Sequence, residues 1–191
     1  MHIIVRKEFN KFMFLTHYIE LTRRKLRENA ANIITLINLS LGCVSIFFTV
    51  KGETGLALII IFVAALADRF DGMVARRLNI ESEIGKQLDS LCDLVSFGIA
   101  PAILIYTTSL ATFGYTGMIF SIIFIICGAY RLARFNITEN HGFFQGLPIT
   151  AAGCILSFFA LFAGIIYEAV FMVLVVILSL AMISTTKIKK M

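Results

Sequence analysis

Apolar positions in this chain fall into six long blocks separated by short polar stretches. The first covers about 33–50 and is closed by Lys51-Gly52-Glu53, and the second starts near Thr54 with an unbroken apolar stretch at 56–67 before charges enter. The others cover about 88–107, 113–130, 147–166 and 169–183. Several approach the ~20 residues that a helix needs to cross the hydrocarbon core of a bilayer. Helices are required there because backbone N–H and C=O groups cannot stay unpaired in lipid, and the long alternation of a β-barrel is absent. The pattern predicts an all-α polytopic membrane protein: six transmembrane helices within a single domain over 32–186, preceded by a basic juxtamembrane arm over 1–31. Pro101 falls inside the third block, where a kink is expected. Pro148 opens the fifth, where a proline is well tolerated.

Composition supports lipid as the solvent, with 59% hydrophobic and only 15% charged residues in 191. A soluble domain rarely exceeds about half apolar. With no Trp, any interfacial aromatic belt rests on the five Tyr and on Phe. The four cysteines, Cys43, Cys92, Cys127 and Cys154, form no C-x-x-C and sit in or beside apolar runs, so they read as small core residues. His2, His17 and His141 are isolated, which gives no support to a catalytic histidine.

Charge orients the spans. The first 31 residues mix Arg6, Lys7, Lys11, Arg23, Arg24, Lys25 and Arg27 with Phe9, Phe12, Phe14 and Leu15, without the short apolar run and small-residue cleavage site of a secretory signal. This suits an arm lying on an anionic membrane surface, and equally a loose basic leader. Arg69, Arg76, Arg77 and Lys86 fall between the second and third blocks, Arg131 and Arg134 between the fourth and fifth, and Lys187, Lys189 and Lys190 at the end. Six crossings put all of these on the side of the N-terminal arm and leave Lys51 alone opposite. The positive-inside rule makes the crowded side cytoplasmic, with both termini there. The location expected is an integral protein of a prokaryotic cell membrane, with no nucleic-acid partner.

The chemistry concentrates in residues 68–93. Asp68 and Asp71 are three apart, and Asp89 and Asp93 four apart, so each pair shares a helix face. Two antiparallel helices would aim four carboxylates into one volume at the cytoplasmic rim. Such groups repel one another unless neutralised, and acids at membrane depth are costly and usually functional. One or two hard divalent cations, Mg²⁺ or Mn²⁺, satisfy oxygen donors of this kind and serve phosphoryl chemistry. Gly72 and Ala75 leave the face free of bulk, Arg76 offers a planar donor, and Gly85 breaks the connection before the third helix. Ion pairs with Arg69, Arg76, Arg77 and Lys86 are the simpler alternative.

Asp68, Asp71, Gly72, Ala75, Arg76, Gly85, Asp89 and Asp93 match without a gap the pattern D-x2-D-G-x2-A-R-x8-G-x3-D-x3-D. In this the chain resembles the CDP-alcohol phosphotransferases, over nearly its whole length. The resemblance implies that Asp68, Asp71 and Asp89 hold metal bound to the CDP pyrophosphate, that Asp93 joins the metal site and is the base for the incoming alcohol, and that Gly72, Ala75, Arg76 and Gly85 line the CDP-lipid. It also implies a homodimer formed through lipid-embedded helices. Asn32, Thr35 and Asn38 open the first span on one stripe. They are similar to that family's P-N-x2-T start, with Ala31 in place of the proline. Asn32 and Thr35 then become candidates for the nucleotide, or for interhelical hydrogen bonds.

Two further stretches look like the phosphatidylserine synthase branch of that family: residues 88–101, LDSLCDLVSFGIAP, and Arg131-Leu132-Ala133-Arg134-Phe135-Asn136 with Gly146-Leu147-Pro148. The substrates implied are CDP-diacylglycerol and L-serine, and the reaction is metal-assisted attack of the serine hydroxyl with release of CMP. Serine carries a carboxylate that Arg131 or Arg134 would bind bidentately, and Asn136 can hydrogen-bond its ammonium or carboxylate. Lipid-phosphate anchoring is the competing use of both arginines. Glycerol 3-phosphate or inositol phosphate as acceptor, or a divalent-cation channel or carrier, are the competing functions.

Overall fold

The computed structural model describes residues 32–78, 83–137, 143–185 and 187–189, with 71, 72, 74–78, 143–145 and 187–189 described by backbone alone. The basic arm expected over 1–31 lies outside the described residues. Helix α1 runs Asn32–Val50 and α2 runs Thr54–Leu78. A third rod is built of α3 (Glu83–Asp93), a π turn (Leu94–Ile99) and α4 (Ala100–Thr108). A 3-10 turn at Leu110–Phe113 leads into α5 (Tyr115–Ile137), followed by α6 (Ile149–Ala160) and α7 (Glu168–Ile183). The described chain is helical as the sequence predicts, with one addition. Strands β1 (Phe143–Gln145) and β2 (Lys187–Lys189) pair antiparallel, tying the connection after α5 to the segment after α7.

Among the described residues, Asn32–Val50, Glu83–Thr108 and Tyr115–Ile137 are long and apolar enough to cross a membrane, and Ile149–Ala160 and Glu168–Ile183 are shorter apolar helices. This is an integral membrane protein, and its packing is that of a protein dissolved in lipid. On α1 the buried stripe is Thr35, Asn38, Gly42, Ser45 and Thr49, while Ile33, Ile37, Val44 and Phe47 face outward. Small and polar residues let helices approach closely where lipid supplies no hydrophobic drive between them. Ser45 accordingly donates to the Ala57 carbonyl of α2 at 2.9 Å. On α2, Ala57, Ile61 and Ala64 are buried while Leu56, Ile59, Val63 and Leu66 are exposed. The interior continues through Phe97, Leu104, Phe124, Ile149, Leu156 and Phe171. Helix α5 packs along α7, and α6 against α4 and the π turn.

The third rod carries Pro101 by opening a turn. Proline has no N–H, and inside an α-helix its ring presses on the carbonyl four residues back, here Phe97. The turn before it widens to the π form, in which the Ala100 N–H reaches back to the Val95 carbonyl. The kink expected at this proline is taken up in that way. The fifth apolar block also ends earlier than its hydropathy suggests. Helix α6 stops at Ala160 and a turn through Gly164 follows, closed by Ile165 and Ile166 N–H groups on the Phe162 carbonyl at 3.0 Å.

Candidate functional site

Asp68 lies on α2, past the apolar stretch, and Asp89 and Asp93 lie one turn apart on α3. One carboxylate oxygen from each comes within 4.8 Å of the other two. At that separation and an effective dielectric of about 20, each ionised pair costs about 3 kcal/mol. The cluster therefore calls for a shared proton or a cation. Asp93 is the deepest member, 8% exposed, and its Oδ1 is buried without a hydrogen-bond partner. Its side chain also meets Asp68 directly. A buried oxygen with no donor, beside two further carboxylates, is a donor set that fits a hard divalent cation.

Asp71 follows Asp68 on the backbone of α2, and Gly72, Ala75 and Arg76 continue the same helix; their side chains lie outside the described residues. Three of the four predicted carboxylates are thus seen together. Gly85, expected to break the connection before the third helix, instead stands half-buried inside the first turn of α3, which already starts at Glu83. Thr35 is buried on α1, and Asn32, its first residue, is half-exposed.

Arg131 approaches the cluster from α5. It is 8% exposed, close enough to Asp93 for the two charges to attract, and its Nε is buried without a hydrogen-bond partner. Its guanidinium carbon lies 5.6 Å from the Phe135 ring centroid, within cation–π range. Arg134, one turn on, is engaged elsewhere: it donates to the carbonyls of Ile183 at 2.8 Å and Ser184 at 3.1 Å, at the end of α7. Asn136 ties α5 to α3, donating to Ser90 Oγ at 2.9 Å and Gln87 Oε1 at 3.3 Å, while Lys86 Nζ donates to its carbonyl at 2.9 Å.

Several neighbours of the site lie outside the eight-position signature. Cys154 of α6 is near enough to Asp68 to feel its charge. Asn38 is 2% exposed, with both side-chain polar atoms lacking partners. Its carbonyl accepts from Ser96 Oγ at 3.0 Å, which fastens α1 to the π turn next to Asp93. The stripe spacing on α1 signals Asn38 and the 88–101 stretch includes Ser96, whereas no short-range signal points to Cys154.

Known proteins resemble this chain in sequence. A curated CDP-diacylglycerol--serine O-phosphatidyltransferase of Bacillus subtilis (strain 168) is 40% identical over 130 residues, 66% of this chain and 73% of that protein. An archaetidylserine synthase of Methanothermobacter thermautotrophicus is 37% identical over 158 residues, 81% of this chain and 66% of its own length. A CDP-diacylglycerol--serine O-phosphatidyltransferase of Helicobacter pylori (strain 26695) is 34% identical over 165 residues, 82% of this chain and 70% of that protein. The family description CDP-alcohol phosphatidyltransferase matches residues 28–183, a span that runs from just before α1 to the end of α7 and encloses the carboxylate cluster. Because that family description covers residues 28–183, most of the chain, this chain belongs to the CDP-alcohol phosphatidyltransferase family.

Proposed function

We propose that this protein transfers the phosphatidyl group of CDP-diacylglycerol to L-serine, giving phosphatidylserine and CMP. The observation that carries the reading is the meeting of Asp68, Asp89 and Asp93 within 4.8 Å, with one buried Asp93 oxygen left without a donor. Serine is chosen as acceptor because the relatives named above are serine phosphatidyltransferases or an archaetidylserine synthase. Arg131, buried beside the cluster, supplies a cation of the kind a serine carboxylate needs.

Asp68, Asp71, Asp89 and Asp93 would hold Mg²⁺ or Mn²⁺, as two ions. When bound, the metal supplies positive charge to the pyrophosphate oxygens and to the departing CMP. The chain's own groups do the rest. Asp93 accepts the serine hydroxyl proton as the new O–P bond forms on the lipid-bearing phosphorus and the bond to CMP breaks. Burial of Asp93 and Arg131 keeps water from competing for the phosphatidyl group. Arg131 orients serine through its carboxylate, and Gly72, Ala75, Arg76, Gly85, Asn32 and Thr35 face the CDP-lipid. Arg134 and Asn136, both committed to neighbouring helices, hold the wall on which Arg131 sits.

In this reading all six helical rods cross the membrane of a prokaryotic cell. The cluster, the basic arm and both termini lie on the cytoplasmic side, and the exposed apolar helix faces meet lipid or a second copy in a homodimer. The test is CMP release from CDP-diacylglycerol by the purified full chain, with serine, glycerol 3-phosphate and inositol phosphate offered in parallel, before and after chelation. Serine-dependent release that stops on chelation and returns with Mg²⁺ or Mn²⁺ is expected. Release driven by another alcohol, or untouched by chelation, overturns the assignment.

A further inference from the structure

The π turn at Leu94–Ile99 begins at the residue after Asp93, and two glycines from different helices press against it. A Cβ on Gly42 of α1 would strike Ser96 Oγ and lie 2.8 Å from Ser96 Cα. A Cβ on Gly153 of α6 would strike the Phe97 carbonyl oxygen and lie 2.9 Å from Phe97 Cα. Backbone atoms cannot swing aside as a side-chain tip can, so a methyl group at either glycine must move the turn. Ser96 adds a hydrogen bond to the Asn38 carbonyl at 3.0 Å on the α1 side.

The turn sets a rotation. In an unbroken α-helix Asp93 and Leu104, eleven residues apart, would point almost the same way, because each residue advances about 100°. A π turn takes in an extra residue, which swings the face of α3 by about 100° relative to α4. Leu104 is fixed in the core, 1% exposed. The direction in which Asp89 and Asp93 face is therefore decided by whether the turn stays open, and Asp68 on α2 is where they have to face.

We propose that Gly42, Ser96 and Gly153 are positioning residues for the carboxylate cluster: the two glycines press on the π turn from α1 and α6, Ser96 within the turn ties it to α1, and together they hold Asp89 and Asp93 toward Asp68. This rests on the metal-holding role proposed above for those acids. Closing the turn to an α form would carry the two α3 carboxylates off Asp68 while leaving the apolar core of α4 intact.

The test measures Mn²⁺ binding to the purified full chain by loss of the free-ion EPR signal, with a thermal melt and serine-dependent CMP release on the same samples. Gly153→Ala and Gly42→Ala are expected to raise the half-saturating Mn²⁺ concentration tenfold or more, and kcat falls with it. Ser96→Ala removes the bond to Asn38 without adding bulk, so it folds. It is expected to raise half-saturation threefold or more with the melt within a few degrees of the parent. Parent-like Mn²⁺ binding by Ser96→Ala overturns the proposal, however the glycine variants behave. Asp93→Asn separates the two readings. If it abolishes Mn²⁺ binding while Ser96→Ala binds like the parent, only the positioning role fails. If it too binds like the parent, the metal-holding reading falls and takes the positioning role with it.

Discussion

Truncating Arg134 to alanine separates a structural arginine from a substrate-binding one. The side chain donates to the carbonyls of Ile183 at 2.8 Å and Ser184 at 3.1 Å, with a longer approach to Met182 at 3.5 Å. These are carbonyls at the C-terminal end of α7, where orphan acceptors gather and a cation is favoured. A hydrogen bond from a charged donor contributes ~1.5–3 kcal/mol when buried. Arg134 is only half-buried, so water replaces part of each bond and about 1 kcal/mol apiece is the realistic loss for the two short ones. Arg134→Ala should then cost about 2 kcal/mol, which for a chain of this size lowers the melting temperature by roughly 4–8 °C. Cys92 and Cys127 are buried cysteines outside any disulfide, so a thiol-reactive dye reports the melt of the detergent-solubilised protein. The KM for serine, measured below the melt, should stay within about twofold of the parent, an energy change of about 0.4 kcal/mol. A tenfold rise in that KM with an unshifted melt would refute the assignment and return the serine carboxylate to Arg134.

Arg131→Lys should behave in the opposite way. It keeps the charge and loses the planar fork, so serine KM rises about 10- to 100-fold while CDP-diacylglycerol KM and the melt change little; equal losses for both substrates would count against the role. Asp93→Asn removes the proton acceptor and should lower kcat for CMP release by about 10²–10⁴ with the melt retained; activity within a few-fold of the parent would dismiss Asp93 as the base. Gly146 has φ +74°, and a Cβ there would lie 2.6 Å from the Met182 carbonyl oxygen and 2.8 Å from that of Ser184. Gly146→Ala should therefore lower the melting temperature by about 5 °C or more through the same end of α7, since backbone strain and close contact add; a parent-like melt would show that this turn is not held there.

The sequence displays its helices through hydropathy, and hydropathy reports contact with lipid, not hydrogen bonding. The helices that outrun their apolar blocks do so at polar ends. Helix α5 continues through Arg131, Arg134 and Asn136 to Ile137, and α3 starts at Glu83 ahead of the block that begins near Leu88. An error of the reverse kind occurs at the end of α6. There the chain stays apolar through Phe162 after the helix has ended at Ala160, because a turn need not be polar if its aromatic ring packs on those of Phe158 and Phe159 in the last helical turn, at centroid distances of 5.6 and 6.4 Å. The pairing of Asp89 with Asp93 was legible because i,i+4 spacing is a property of the helix itself. The different surroundings of the two arginines in the RLARFN stretch were not. Arg131 and Arg134 share a residue type and neighbouring positions, and only the end of α7, 49 residues from Arg134, tells them apart. Nor does any residue announce the π turn. Pro101 removes a donor and crowds Phe97, but whether a helix then kinks or widens depends on its neighbours. Here the neighbours are two glycines that leave room for a wider turn beside the acids, so the device that aims the cluster is written in three helices at once.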